Sequence, residues 1–266
     1  MAFETLAVRT TSALLLAPAF LLPVWLGGPP LAGLLALVAL GCMHEFCAIA
    51  RAAGHAPSQW LAYAGAAGVC AGAYSGGFPG AAAAMTLFPL ALIFPYLAAA
   101  DHSKAIVDSS LTLLGVTQYA YFLSFLYLIR ADARMGLPVL VILLVLVWVE
   151  DSAAYLVGSA IGKHKLTPIS PKKTWEGTGA GFVLSLAAAA ATARYGFGHP
   201  VGILTLALLA VVGGLAQLGD LSESLLKRNF GVKDSGSTIP GHGGLLDRFD
   251  SLCLSAPAMF VLFPGM

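Results

Sequence analysis

Two carboxylates and a set of lysines carry the chemistry of this chain. The segment Gly219-Asp220-Leu221-Ser222-Glu223-Ser224-Leu225-Leu226-Lys227-Arg228 closes a long apolar run. If it is helical, positions 220, 223, 224 and 227 share one face. That face carries two acids, a hydroxyl and a lysine beside leucine and valine. The bland alternative is a helix end reaching water with i,i+3 and i,i+4 charge pairs. Asp220 sits roughly two turns inside that end, which favours a site. Downstream, Lys233-Asp234-Ser235-Gly236 leads through Pro240-Gly241-His242-Gly243-Gly244 to Asp247-Arg248-Phe249-Asp250. Asp247 and Asp250 fall on one face at the start of a last apolar run, and glycines let backbone amides approach a ligand closely.

A second charged loop runs from Gly162 to Gly177. It holds Lys163, Lys165, Lys172 and Lys173 together with Pro168 and Pro171. Two readings stand. It anchors the chain on anionic headgroups, or it clamps phosphate. Thr174 is a candidate N-cap, and amides at a helix start beside two ammonium groups suit an anion. Just upstream, Glu150 and Asp151 end a strongly apolar run. Acids there are expensive and mark function by default. Carboxylates facing lysines and a glycine-rich turn are what a metal–polyphosphate site needs. The residues alone thus point to phosphoryl or nucleotidyl transfer in a membrane-embedded site on the cytoplasmic face.

The elements that must position these groups are apolar helices. Of 266 residues, 58% are hydrophobic and only 10% charged, with a mean hydropathy of +0.85. A soluble domain carries about 25% charged residues. A soluble globule, a disordered chain and a basic nucleic-acid binder are therefore excluded. The expected fold is an all-α, polytopic integral membrane bundle of about nine transmembrane helices. The apolar runs lie at 11–27, 30–50, 59–77, 80–99, 106–129, 136–160, 177–194, 200–226 and 249–265. Turn chemistry at Gly27-Gly28-Pro29-Pro30, Pro57-Ser58, Gly76-Gly77-Phe78-Pro79 and His199-Pro200 separates several of them. The first run reads as a span, not a cleaved leader, because another span follows at once.

Charge is uneven along the chain. Eight of 13 acidic and nine of 14 basic residues lie between Glu150 and Asp250. Residues 1–135 read as a scaffold and dimer region, and 136–266 as the catalytic region. With nine spans, 11 of the 14 Lys and Arg fall on the side of the N-terminus, which predicts that side as cytoplasmic. Cys42, Cys47, Cys70 and Cys253 lie in apolar runs and read as buried small hydrophobes. His44 points about 200° away from Cys42 on a helix, so those side chains do not form a metal site.

The run Ser224-x-x-Lys227-Arg228-x4-Lys233-Asp234-x-Gly236-x2-Ile239-Pro240-x-His242-Gly243-Gly244-Leu245-x-Asp247-Arg248-Phe249-Asp250 resembles the signature of phosphatidate cytidylyltransferases, the CDP-diacylglycerol synthases. It spans 27 residues without a departure from the pattern. Asp151-Ser152-x-Ala154-Tyr155-x-x-Gly158 and Ser170-Pro171-Lys172-Lys173-Thr174-x-Glu176-Gly177 are also similar to that family. The likeness is close over about 140–260. In the first half it extends only to general character and to an acid, Glu45, near the inner end of the second helix.

The resemblance implies that CTP and phosphatidic acid give CDP-diacylglycerol and pyrophosphate, with Mg2+ alone or with a second cation. It implies Asp220 and Asp247 as metal ligands, with Asp250 and Asp151 as further ligands or orienting groups. Lys227, Arg228, Lys172, Lys173 and Arg248 would hold the triphosphate or the lipid phosphate. His242, Gly243 and Gly244 would pack the loop against phosphate, although a loop hydrogen bond explains His242 as well. Ser224 is either a ligand contact or a small residue that lets helices approach. Glu45 reads as structural. The resemblance further implies a homodimer in a bacterial inner membrane, with its site open to bilayer lipid and to cytoplasmic CTP. Of the rivals, a transporter would scatter basic residues across its helices and place acids near the midplane, and here the charges gather at one face. The Asp-Gly-x2-Ala-Arg pattern of CDP-alcohol phosphotransferases is absent.

Overall fold

The computed structural model describes residues 16–97, 102–236, 238 and 243–263. The described residues form helices and no strand, with one isolated antiparallel bridge between Lys165 and Thr174. The helices are α1 (Leu16–Leu26), α2 (Gly28–Ala52), α3 (Gln59–Leu97), α4 (Ala105–Val116) and α5 (Phe122–Arg130). They continue as α6 (Gly136–Ile161), α7 (Trp175–Ala191), α8 (Ile203–Asn229) and α9 (Leu246–Leu262). Each apolar run of the sequence is helical over most of its described residues. Five helices among the described residues are long and apolar enough to cross a membrane. Large apolar side chains such as Leu37, Trp60, Leu156 and Ile203 stand exposed. On a water-soluble protein such patches would be a liability; on an all-α integral membrane protein they face lipid.

The third and fourth runs form a single helical element broken at Gly77, whose φ of 61° and ψ of −149° are not helical. The chain doubles back there. A Cβ on Gly80 would lie 2.2 Å from the carbonyl oxygen of Gly72, and one on Gly65 would lie 2.5 Å from the Phe88 ring. Only glycine permits that approach. A π turn, Thr117–Tyr121, joins α4 to α5.

The chain divides into two compact units. The first comprises 1–131 with 227–249, and the second 132–226 with 250–266. The boundaries fall inside α8 and α9, so each of these helices contributes to both.

In the first unit, Phe46 of α2 meets Tyr119 and the loop residue Phe230, ring centroids 5.9 and 6.0 Å apart. Gly115 brings α4 against Met43 and Phe46. Pro29 and Pro30 start α2, where their missing N–H groups are not needed. Arg130 of α5 donates to the carbonyls of Val24 (2.9 Å) and Trp25 (2.8 Å), satisfying the end of α1. The connection after α2 is held by α4. The amide of Ala56 donates to Asp108 (2.8 Å), that of Ser58 to the Thr112 hydroxyl (3.0 Å), and Lys104 to the Gly54 carbonyl (3.0 Å).

In the second unit, α6 packs most extensively on α7. Gly177 and Gly181 explain the closeness. A Cβ on Gly177 would lie 2.5 Å from the Ala154 carbonyl oxygen, and one on Gly181 2.7 Å from that of Glu150. Small residues four apart let helix backbones touch in a membrane. Thr174 caps α7 as predicted, accepting from the Gly177 amide at 3.2 Å. The four cysteines are free, and all but the half-buried Cys70 are buried.

Candidate active site

The predicted residues gather into two polar clusters, one in each unit. In the second unit, Asp220 of α8 pairs with Lys173, which precedes α7. Each side chain is 26% exposed. The Ser224 hydroxyl reaches Asp220 at 3.4 Å. Gly219 brings Asp250 alongside, because a Cβ at 219 would meet the Asp250 carbonyl oxygen at 2.5 Å. Glycine beside Asp220 is thus what lets α8 and α9 touch where both carry an acid. The charges of Asp250, Asp220 and Glu150 all press on Asp151, and Lys173 partly offsets them. Beneath, the buried Glu150 accepts from Gln217 (2.5 Å), which also donates to the Thr178 carbonyl (3.3 Å). That bond ties α6, α7 and α8 together one turn from Asp220.

The cationic loop is pinned from both ends. Leu166 donates to the Lys173 carbonyl and Trp175 to that of His164, each at 3.0 Å. Glu176 bonds His164 at 2.6 Å. Its own backbone amide and the His164 side chain hold the Glu176 carboxyl down to about 2. Lys172 is exposed beside the paired Lys173.

In the first unit, Lys227 of α8 pairs with Asp247 of α9, with side chains only 13% and 11% exposed. The other oxygen of Asp247 accepts from the Gly244 amide (3.0 Å), the Ser235 amide (3.2 Å) and the Ser235 hydroxyl (3.1 Å). Both carboxylate oxygens are therefore engaged. Gly243 has φ +84°, a conformation that disfavours side chains, and its Cβ would stand 3.0 Å from Asp247. Arg228 turns to the Val232 carbonyl at 2.9 Å and closes the turn after α8. Arg248 is exposed. His242 lies outside the described residues.

Glu45 joins the first-unit cluster through Ser235. It is buried and accepts four hydrogen bonds from the glycine-rich stretch. The available signal was a lone acid inside an apolar helix. Gln217 and Ser235 carried no comparable signal.

Among the described residues, no three acidic, histidine or cysteine side chains converge as a metal cage would. Mg2+ asks for less, one or two carboxylates, and completes its shell from phosphates and water. The donor chemistry of Asp220, with Asp250 and Asp151 near it, fits that ion, because all three offer hard carboxylate oxygens.

Comparison with known proteins gives the family. The chain belongs to the cytidylyltransferase family, whose model matches residues 7–264. It is similar to a protein of Staphylococcus aureus named phosphatidate cytidylyltransferase. The two are 39% identical over 173 residues, 64% of this chain and 65% of that protein. Proteins of the same name from Staphylococcus epidermidis and Staphylococcus saprophyticus are each 36% identical over 172 residues, 64% of this chain and 65% of theirs. The chain thus spans just under two thirds of the length of these curated relatives.

Proposed function

We propose that this chain transfers the cytidylyl group of CTP to phosphatidic acid, giving CDP-diacylglycerol and pyrophosphate for phospholipid synthesis. The observation that carries the reading is the family match over nearly the whole chain, joined to the name that its relatives carry. The paired lysines and aspartates suit it chemically.

In this reaction a phosphate oxygen of the lipid attacks the α-phosphorus of CTP. A new P–O bond forms as the bond to the β-phosphate bridge oxygen breaks, and pyrophosphate leaves with the electron pair. The nucleophile is already anionic, so no general base is required. The protein's work is orientation and charge neutralisation. Lys173, Lys172 and Lys227 would hold phosphate oxygens, with Arg228 and Arg248 at the exposed rim. Asp220 and Asp250, with Asp151 beside them, would hold Mg2+. When bound, that ion would draw charge from the triphosphate. The reading leaves a second cation open.

The apolar surface gives the location its reason. Phosphatidic acid leaves a bilayer only at great cost, so the site must come to the lipid. We place the chain in a bacterial inner membrane with its lysines on the cytoplasmic face, as a homodimer. The bacterial relatives and the lopsided distribution of Lys and Arg support this placement.

Pyrophosphate release by purified protein in detergent tests the reading. It should require CTP, phosphatidic acid and Mg2+ together. Release without the lipid, or with no dependence on CTP, would overturn it.

A further inference from the structure

The glycine-rich stretch after α8 is held by an acid from the other end of the chain. Glu45 lies in α2 among Cys42, Met43, Phe46 and Cys47, all fully buried, and is itself 4% exposed. A carboxylate in such surroundings persists only if its oxygens are satisfied. They are. One oxygen accepts from the Thr238 hydroxyl (2.5 Å) and the Leu245 amide (2.9 Å). The other accepts from the Ser235 hydroxyl (2.9 Å) and the Leu246 amide (3.1 Å). All four donors come from residues 235–246.

The same segment is gripped by Asp247, and the two grips meet at Ser235. Its hydroxyl stands 2.9 Å from Glu45 and 3.1 Å from Asp247, with one proton to give. The glycines close the account. A Cβ on Gly244 would lie 1.9 Å from the Ser235 hydroxyl and 2.4 Å from a Glu45 oxygen, and one on Gly236 would lie 3.0 Å from Glu45. Gly236 and Gly244 are therefore glycines because the backbone wraps a carboxylate of the protein itself. A close approach to phosphate is not needed to explain them.

We infer that Glu45 is a positioning residue for cytidylyl transfer: it ties Ser235 and Thr238 to the start of α9 and so fixes the Asp247–Lys227 pair. This rests on the activity proposed above. Glu45 need not touch substrate; it acts through Ser235 and the Leu245–Leu246 amides. Glutamine at 45 keeps one acceptor oxygen but turns an N–H toward the other donors. The loop should loosen without α2 losing its packing.

The experiment uses the full chain in detergent, as wild type, Glu45→Gln, Ser235→Ala and the double variant. Amide exchange at Leu245 and Leu246 is read beside kcat and KM for CTP and phosphatidic acid. Glu45→Gln should speed exchange at those two amides at least tenfold and leave α2 protected. It should lower kcat on the order of tenfold, with KM for phosphatidic acid unchanged. The double variant should be no slower than Glu45→Gln alone, because both act through one contact. If Glu45→Gln also unprotects α2, Ser235→Ala and Thr238→Val weaken the same grip from the loop side, and the same exchange and kcat changes are expected of them. Unchanged exchange at Leu245 and Leu246, unchanged kcat, or fully additive losses would overturn the inference. A wild type that turns over no CTP with phosphatidic acid would overturn the cytidylyl reading and Glu45's part in it, while exchange still decides the grip.

Discussion

Two lysine–aspartate pairs of identical chemistry sit in opposite circumstances. Lys227–Asp247 is nearly closed off, and every oxygen of its carboxylate is engaged by the protein. Lys173–Asp220 is about a quarter exposed, and other acids crowd it. The first arrangement is closed, with Asp247 answered on one oxygen by Lys227 and on the other by the loop. The second is open to solvent, and Asp151 and Asp250 lie close enough for their charges to be felt there. Motif spacing alone makes the two aspartates look equivalent; their hydrogen-bond partners separate them.

Single substitutions at the two acids would break the comparison most sharply. Asp220→Asn should cut the proposed cytidylyl transfer on the order of 10²–10³-fold, while thermal melts shift by the equivalent of about 1 kcal/mol or less, because the pair is partly solvated. Asp247→Asn should cost activity and also about 3 kcal/mol of stability, because it strands a buried ammonium. Adding Lys227→Met to Asp247→Asn should restore much of the melting temperature and none of the turnover. Equal stability losses at Asp220 and Asp247 would erase the distinction.

A subtler contrast tests the glycines. Gly219→Ala pushes α8 from α9 at the Asp250 carbonyl and should cost about 1–3 kcal/mol, with a fall in turnover of about tenfold. Thr174→Ala removes the cap of α7 and should cost about 1 kcal/mol in a denaturation series. The smallest effect is at Glu176. Its carboxyl is held below the ordinary range, so its stabilising contribution is full at neutral pH. That contribution is lost as pH falls from about 4.5 to about 2. Glu176→Gln should therefore melt below wild type at pH 7, and the gap should close in acid.

The helices were legible because a membrane imposes one rule on every span. Even the break at Gly77 announced itself in Gly76-Gly77-Phe78-Pro79, and Thr174 announced its cap. Asp220, Asp250 and Lys173 were legible as charges at the ends of apolar runs, where carrying a charge demands a reason. What stayed hidden depends on side-chain partners far apart in the chain. Nothing in the spacing says that Ser235 would link Asp247 to Glu45, or that Gln217 would bond Glu150. Nor does a glycine-rich run say what fills the space its missing side chains leave. Here the filler at Gly236 and Gly244 is a carboxylate from α2.

That carboxylate has a consequence in time. Glu45 is synthesised 190 to 201 residues before the groups that satisfy it. At about 5–20 residues per second, the interval is on the order of 10–40 s. Through that wait α2 carries an acid into a membrane with none of its final partners yet made, so water must attend it until the stretch from Ser235 to Leu246 arrives. The first unit is thus begun early in translation and sealed by one of its last segments.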